Sequence, residues 1–218
     1  MIVETKYGEL EGIEQDGCVI FKGVPYAKAP VGQLRFKKPE KPESWIGIRK
    51  ADAFGNKSLQ GGERPGFYYN EFYKNPSFMV DESEDCLFLN IWIPEGRKEE
   101  KLPVAVYVHG GAFLGGAGSN LPFVCTELVK TGVIVVTINY RLGALGFLYH
   151  PLLGENLGNL GLWDQLEAFY WVKENIADFG GDENNITVFG QSAGAMSLQT
   201  LAVTTQAKGL FEKMIIQS

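Results

Sequence analysis

The stretch Asn185-Ile-Thr-Val-Phe-Gly-Gln-Ser-Ala-Gly-Ala-Met196 constrains the fold more than any other part of the chain. A short apolar run, Ile186 to Phe189, stops at Gly190, and a helix-prone segment follows from Ala193 to Val203. Strand, sharp turn and helix leave Ser192 at the apex, with Gly190 and Gly194 two residues to either side. A side chain projecting from so tight a turn needs small neighbours at those positions, because strand and helix approach each other there. The turn also sets Ser192 at a helix N-terminus, where free N–H groups and the dipole favour developing negative charge. Taken alone, the G-x-S-x-G spacing fits an ordinary strand-to-helix turn equally well.

The segments before it supply the context. Val104 to Val108 and Val133 to Ile138 are nearly continuous apolar runs, as parallel strands covered on both faces require. Leu87 to Ile93 reads as a further strand, and Met214 to Ser218 as a last one. Between them, Leu162, Leu166, Phe169, Val172 and Ile176 form one stripe of an amphipathic helix over Leu160 to Ile176, which ends before Gly180-Gly181. Strands alternating with helices predict an α/β fold around a mostly parallel central sheet with helices on both faces. Residues 1–25 read as short strands with a hairpin turn at Asp16-Gly17, ahead of the Val19 to Tyr26 run. Pro30, Pro39 and Pro42 keep residues 27–44 extended. Residues 55–82 are the least regular, and the aromatic cluster Phe67 to Tyr73 with Phe78 and Met79 has two readings. It packs its rings on the body, or it forms an apolar wall over a substrate site.

Bulk properties narrow the functional classes. The formal charge of -6 and the lack of a basic cluster argue against a nucleic-acid partner. No window is apolar for long enough to span a bilayer, and no basic start followed by an apolar run marks a signal peptide. Cys18, Cys86 and Cys125 are odd in number and show no metal-ligand spacing, which fits buried thiols in a reducing compartment. A cytoplasmic location is the expectation.

A second constellation completes the first. Val104-Ala-Val-Tyr-Val-His-Gly-Gly-Ala-Phe-Leu-Gly-Gly116 is a buried strand running into a glycine-rich loop. Acyl transfer passes through a tetrahedral oxyanion, and backbone N–H groups preorganised around it are often the largest catalytic contribution. His-Gly-Gly lets those N–H groups turn inward with no side chain blocking the approach. A phosphate-binding reading fits poorly, since neither G-x-G-x-x-G nor Gly-Lys-Ser/Thr is present.

With these segments the sequence resembles the type-B carboxylesterase/cholinesterase family of α/β-hydrolases, from residue 3 to the last residue. Further carrying segments are Phe21-Lys-Gly-Val-Pro-Tyr-Ala27, Pro30-Val-Gly-Gln-Leu-Arg-Phe36, Ser83-Glu-Asp-Cys-Leu-Phe-Leu-Asn90, Ile138-Asn-Tyr-Arg-Leu-Gly143, Gly158-Asn-Leu-Gly-Leu-Trp-Asp-Gln165 and Phe179-Gly-Gly-Asp182. The resemblance implies an α/β-hydrolase fold and a serine carboxylic-ester hydrolase. Ser192 would be the acyl-forming nucleophile, with an oxyanion hole from the N–H groups of Gly111, Ala112 and Ala193. It implies an ester substrate, apolar if the aromatic cluster walls the site, and no metal or organic cofactor. Arg35 and Glu84 match a structural ion pair of the family, although a solvated pair of this kind contributes little by itself.

Three departures qualify the resemblance. Gln191 stands where the family usually has glutamate, which leaves the elbow geometry intact. In secreted members the cysteine matching Cys86 pairs with one about where Ser58 stands, and that partner is missing. The family's catalytic acid and histidine follow the serine in chain order, and neither occurs within these 218 residues. Of the two histidines, His109 belongs to the loop and is expected to orient it, and His150 is a weak candidate to reach Ser192. Asp164 and Asp182 match structural motifs and read as scaffold. The last strand also ends in the open, which predicts that residues 1–218 are the N-terminal part of a single α/β-hydrolase domain, poorly stable in isolation. The missing C-terminal portion would then supply the base and acid. The alternatives are a non-catalytic cholinesterase-like binding protein, against which the intact Ser192 and loop count, and an inactive truncated product.

Overall fold

The computed structural model describes residues 1–61, 79–96, 101–120, 126–154 and 158–217. The strands are β1 (Ile2–Thr5), β2 (Gly8–Glu11), β3 (Ile13–Gln15), β4 (Cys18–Pro25), β5 (Ile48–Lys50), β6 (Lys57–Ser58), β7 (Glu82–Ser83), β8 (Phe88–Pro94), β9 (Leu102–Val108), β10 (Ile134–Ile138), β11 (Gly181–Gln191) and β12 (Lys213–Gln217). The helices are α1 (Thr126–Val129), α2 (Gly143–Phe147), α3 (Leu160–Asn175) and α4 (Ala193–Ala202).

The central sheet has seven strands in the order β12-β11-β9-β10-β8-β4-β3. The apolar runs that predict parallel strands form its parallel half: β9 lies between β10 and β11, and β12 continues the sheet beyond β11. The other half is antiparallel, from β10 through β8 and β4 to β3, so the sheet is mixed rather than mostly parallel. Its cause is local. Asp16 and Gly17 both take positive φ, at 53° and 76°, the primed turn whose twist suits a two-residue hairpin, and β4 therefore returns antiparallel along β3. The β1-β2 pair stays outside this sheet and joins β5 in a three-stranded one.

Both faces of the sheet are covered. Alternation along β10 sends Ile134, Val136 and Ile138 into the main core, with Leu166, Phe169 and Val172 of α3 and Leu198 and Leu201 of α4. Val135 faces the other way and packs with Ile20, Trp92 and Val129 of α1. The helix α3 matches the stripe in the sequence but is buried more widely, and Asp164, Gln165 and Asn175 are all 0% exposed. Asp164 and Asn175 are fully met, whereas Gln165 is met at its Nε2 and its Oε1 has no hydrogen-bond partner among the described residues. Asp164 accepts two bonds from the Arg141 guanidinium, at 2.7 and 2.9 Å, and a third from the Arg141 N–H at 3.0 Å. Gln165 donates to Ser197 Oγ, and Asn175 joins the Lys6 N–H to the Trp171 carbonyl. Burial pushes the Asp164 carboxyl up, and the Arg141 bonds oppose that shift. Arg141 also donates to the Arg35 carbonyl, beside the 2.7 Å ion pair of Arg35 with Glu84. Asp182 caps the Asn184 N–H at 2.9 Å, so both aspartates serve the scaffold as expected.

Cys18 and Cys86 are buried free thiols. Burial pushes the Cys86 thiol up to about 12, and its partner is the Ser58 hydroxyl, in the position the resemblance assigns to a second cysteine. Ser58→Cys is therefore expected to oxidise onto Cys86. Peptide mapping should show the cross-link, with a stability gain of about 2 kcal/mol, the loop-closure contribution less the lost Ser58 acceptor for the Leu142 N–H. Two free thiols persisting under oxidant would contradict the placement. Cys125 and the aromatic cluster, Met79 excepted, lie outside the described residues.

Candidate active site

Register brings the two constellations together. In the β9-β11 pair Gly190 lies opposite Val108, so the strands end level and the next residues of each chain meet. A Cβ at Gly194 would stand 2.1 Å from the Val108 carbonyl oxygen, and one at Gly190 would stand 2.8 Å from the Gly194 carbonyl carbon. Any side chain at either position would force strand and helix apart, which is the steric reading of G-x-S-x-G made concrete. Ser192 itself sits at φ 54° and ψ -121°, a left-handed conformation strained for a residue with a Cβ. Its N–H donates to the Gln217 carbonyl of β12 at 2.8 Å, and its carbonyl accepts from Met196 at 3.0 Å. Its side chain makes no capping bond to α4. It is half-buried, and a Cβ on Gly110 would lie 3.2 Å from Ser192 Cβ.

The loop after β9 is shaped by three consecutive positive φ values, at Gly111 (115°), Ala112 (55°) and Phe113 (59°). Gly111 turns its carbonyl inward to accept from Leu114 and Gly115, both at 3.0 Å. Among the described residues, no group accepts a hydrogen bond from the N–H of Gly111, Ala112 or Ala193. Successive free N–H groups in such a turn, like the first N–H groups of a helix, suit an anion. Those are the groups the resemblance implies: Ala193 follows Ser192 directly in the chain, and Gly110, the neighbour of Gly111, lies against Ser192.

Several groups hold the loop. Tyr140 donates its hydroxyl to the His109 carbonyl at 2.7 Å and stacks on the His109 ring with centroids 4.3 Å apart. Gly143 donates to the Phe113 carbonyl at 2.7 Å. Asn139 accepts from the Gly118 N–H, and Thr137 donates to the Gly118 carbonyl, each at 2.8 Å. The Gln60 amide bonds both polar groups of Gly116. None of Gln60, Asn139 or Tyr140 stands out in the sequence as a site residue. Tyr140 and Asn139 lie within a family segment, and Gln60 carries no motif signal.

His109 is 1% exposed and its Nδ1 lies 2.8 Å from the Gly110 carbonyl, which places the proton on Nδ1, since a carbonyl only accepts. Desolvation lowers its pKa from 6.5 to about 4, so the ring is neutral at neutral pH and braces the loop. The unfolded chain then binds the extra proton more readily, and stability falls as pH drops from 6.5 towards 4, then levels off. The loss amounts to about 3 kcal/mol. His109→Asn keeps a donor near Nδ1 and cannot titrate, so its melting temperature should fall less than the parent's across that window. Parallel melting curves for the two proteins would contradict this. His150 is exposed and accepts from the Leu152 N–H through Nδ1, and no hydrogen bond joins it to Ser192. Among the described residues, no histidine or carboxylate side chain bonds the Ser192 hydroxyl, and no group of ligating side chains could hold a metal ion.

Fold and site together define an α/β-hydrolase: a strand-elbow-helix with a serine at its apex, faced by a glycine loop from the neighbouring parallel strand. The sequence profile of the carboxylesterase family matches residues 1–218, and the chain belongs to that family. It is 47% identical over 219 residues to para-nitrobenzyl esterase of Bacillus subtilis (strain 168), covering 100% of this chain and 43% of that protein. It is 42% identical over 219 residues to phenmedipham hydrolase of Pseudarthrobacter oxydans, covering 100% and 42%. Among solved structures, the carboxylesterase of Geobacillus stearothermophilus superposes with a TM-score of 0.88 at 46% identity, covering 100% of this chain and 43% of that one. The chain thus spans less than half the length of the relatives it matches. No described helix is long and apolar enough to cross a membrane.

Proposed function

We propose that residues 1–218 form the N-terminal part of a single α/β-hydrolase domain that carries the nucleophile half of a serine carboxylesterase. Ser192 Oγ attacks the ester carbonyl while a histidine takes its proton. The N–H groups of Gly111, Ala112 and Ala193 receive the oxyanion of the tetrahedral intermediate. The alcohol leaves with that proton, and water then releases the acid from the acyl-enzyme. The observation that carries this reading is the strained Ser192 packed against Gly110, in a loop where the next two N–H groups, of Gly111 and Ala112, have no acceptor among the described residues.

The base and its acid partner come from polypeptide outside these 218 residues. Two findings support this: no described histidine or carboxylate bonds Ser192, and the chain matches less than half of its relatives. The substrate is a small ester with apolar groups, in keeping with exposed Leu114 and Met196 near the loop and the elbow. A cytoplasmic location is supported by the free thiols of Cys18 and Cys86.

The test uses the full-length polypeptide, meaning this chain joined to the segment supplying the base and acid. With p-nitrophenyl butyrate it should give a burst of nitrophenol stoichiometric with protein or steady turnover. A folded full-length protein with neither would contradict the assignment.

A further inference from the structure

Gln60 grips one residue of the glycine-rich loop by both of its backbone polar groups. Its Oε1 accepts from the Gly116 N–H at 3.0 Å, and its Nε2 donates to the Gly116 carbonyl at 3.1 Å. The same Nε2 donates to the Ser58 carbonyl at 3.0 Å, and the Gln60 N–H donates to the Glu82 carboxylate at 3.1 Å. A primary amide is suited to this contact because it is neutral and offers a donor and an acceptor side by side. A carboxylate cannot donate, an ammonium cannot accept, and asparagine is one methylene short.

The gripped residue cannot shift without moving its neighbours. Gly116 has φ 109°, and a Cβ there would lie 2.4 Å from His109 Nδ1 and 2.5 Å from the Gly110 carbonyl oxygen. Gly116 therefore packs flat on the Gly110 peptide, and Gly110 in turn lies against Ser192. The other bonds to the loop reach His109, Phe113 and Gly118. Among the described residues, Gln60 is the side chain that anchors the stretch between Phe113 and Gly118.

We infer that Gln60 is a positioning residue for the oxyanion loop: through Gly116 and Gly110 it sets where the Gly111 and Ala112 N–H groups stand relative to Ser192. The inference rests on the esterase reading. An oxyanion engages these donors more strongly than an ester carbonyl does, so displacing them lowers kcat and leaves KM nearly unchanged.

The test compares Gln60→Glu and Gln60→Met with the parent, all as full-length polypeptide. It measures kcat and KM on p-nitrophenyl acetate, inhibition by an aryl trifluoromethyl ketone, and melting temperature. Gln60→Glu turns a carboxylate towards the Gly116 and Ser58 carbonyls, and kcat should fall about 30-fold, as donor displacement in such a site does. Gln60→Met keeps the length without the bonds, and kcat should fall about 10-fold. Ketone inhibition should weaken in step with kcat, while KM stays within about 2-fold. Unchanged kcat in both folded variants overturns the inference. So does a loss in which KM and melting temperature move with kcat, or a failure of both variants to fold, since a positioning role confines the damage to the loop. A parent that does not turn over the ester contradicts the esterase reading itself, which separates that failure from one confined to Gln60.

Discussion

Ser192→Ala in the full-length polypeptide is expected to lower kcat/KM for p-nitrophenyl esters by about 10,000-fold or more, with no loss of melting temperature. The size of the effect follows from covalent catalysis. Without the hydroxyl no acyl-enzyme forms, and the oxyanion donors can assist only direct attack by water. The stability half follows from the backbone. Ser192 makes no side-chain bond to α4, so removing its hydroxyl forfeits no cap, and its φ of 54° is unfavourable for any residue with a Cβ. Ser192→Gly should go further and raise stability by about 1 kcal/mol by relieving that strain. Thermal melts of the three proteins beside their ester kinetics check both halves. A nucleophile variant that loses stability in proportion to activity would show that the elbow stores no strain.

The second large effect is structural. Asp164→Ala leaves the Arg141 guanidinium, 2% exposed, buried with no counter-charge, and strips an acceptor from the Arg141 N–H. Removing one partner of a buried pair costs about 3–5 kcal/mol. Against a total stability of about 5–15 kcal/mol, that change is enough to populate unfolded chain at ordinary temperature. Arg141 follows Tyr140, whose ring stacks on His109, so loosening this pair reaches the loop as well. Replacing both partners with apolar residues, Arg141→Met with Asp164→Leu, should recover most of the loss, because the penalty lies in the orphaned charge. Urea midpoints for the single and double variants decide it. A double variant no better than Asp164→Ala would mean that the bonds themselves, including that to the Arg35 carbonyl, carry the stability.

The parts of this fold that were readable from the chain are those whose residue types have a single steric use. Gly190 and Gly194 can carry no side chain beside Val108 and each other, so their spacing around Ser192 announces the elbow. The apolar runs of β9 and β10 announce strands buried on both faces. The antiparallel half was less legible. A turn such as Asp16-Gly17 fixes the pairing of β3 with β4 but not where that hairpin joins a sheet. Nor does it place β1 and β2, which leave the main sheet for β5. The second buried side of α3 was hidden because Asp164, Gln165 and Asn175 look like solvent-facing residues until their partners Arg141, Ser197 and Lys6 are brought to them by the fold. Gln60 was invisible for the same reason, since its amide acts on a backbone that is distant along the chain. His109 falls between these cases. Its place in the loop was readable, but its neutral, stacked state depends on burial against Tyr140.

The central claim, that Ser192 is a preorganised nucleophile whose base comes from outside these residues, is tested most directly by intact mass. The 218-residue chain and the full-length polypeptide are each incubated with a fluorophosphonate, beside Ser192→Ala versions of both. The account predicts one adduct on the full-length protein, mapping to Ser192 and absent from the variant, and little or none on the folded 218-residue chain. An adduct formed as rapidly on the short chain would show that a base lies within it, and labelling at another residue or at none in the full-length protein would remove Ser192 from the nucleophile's role.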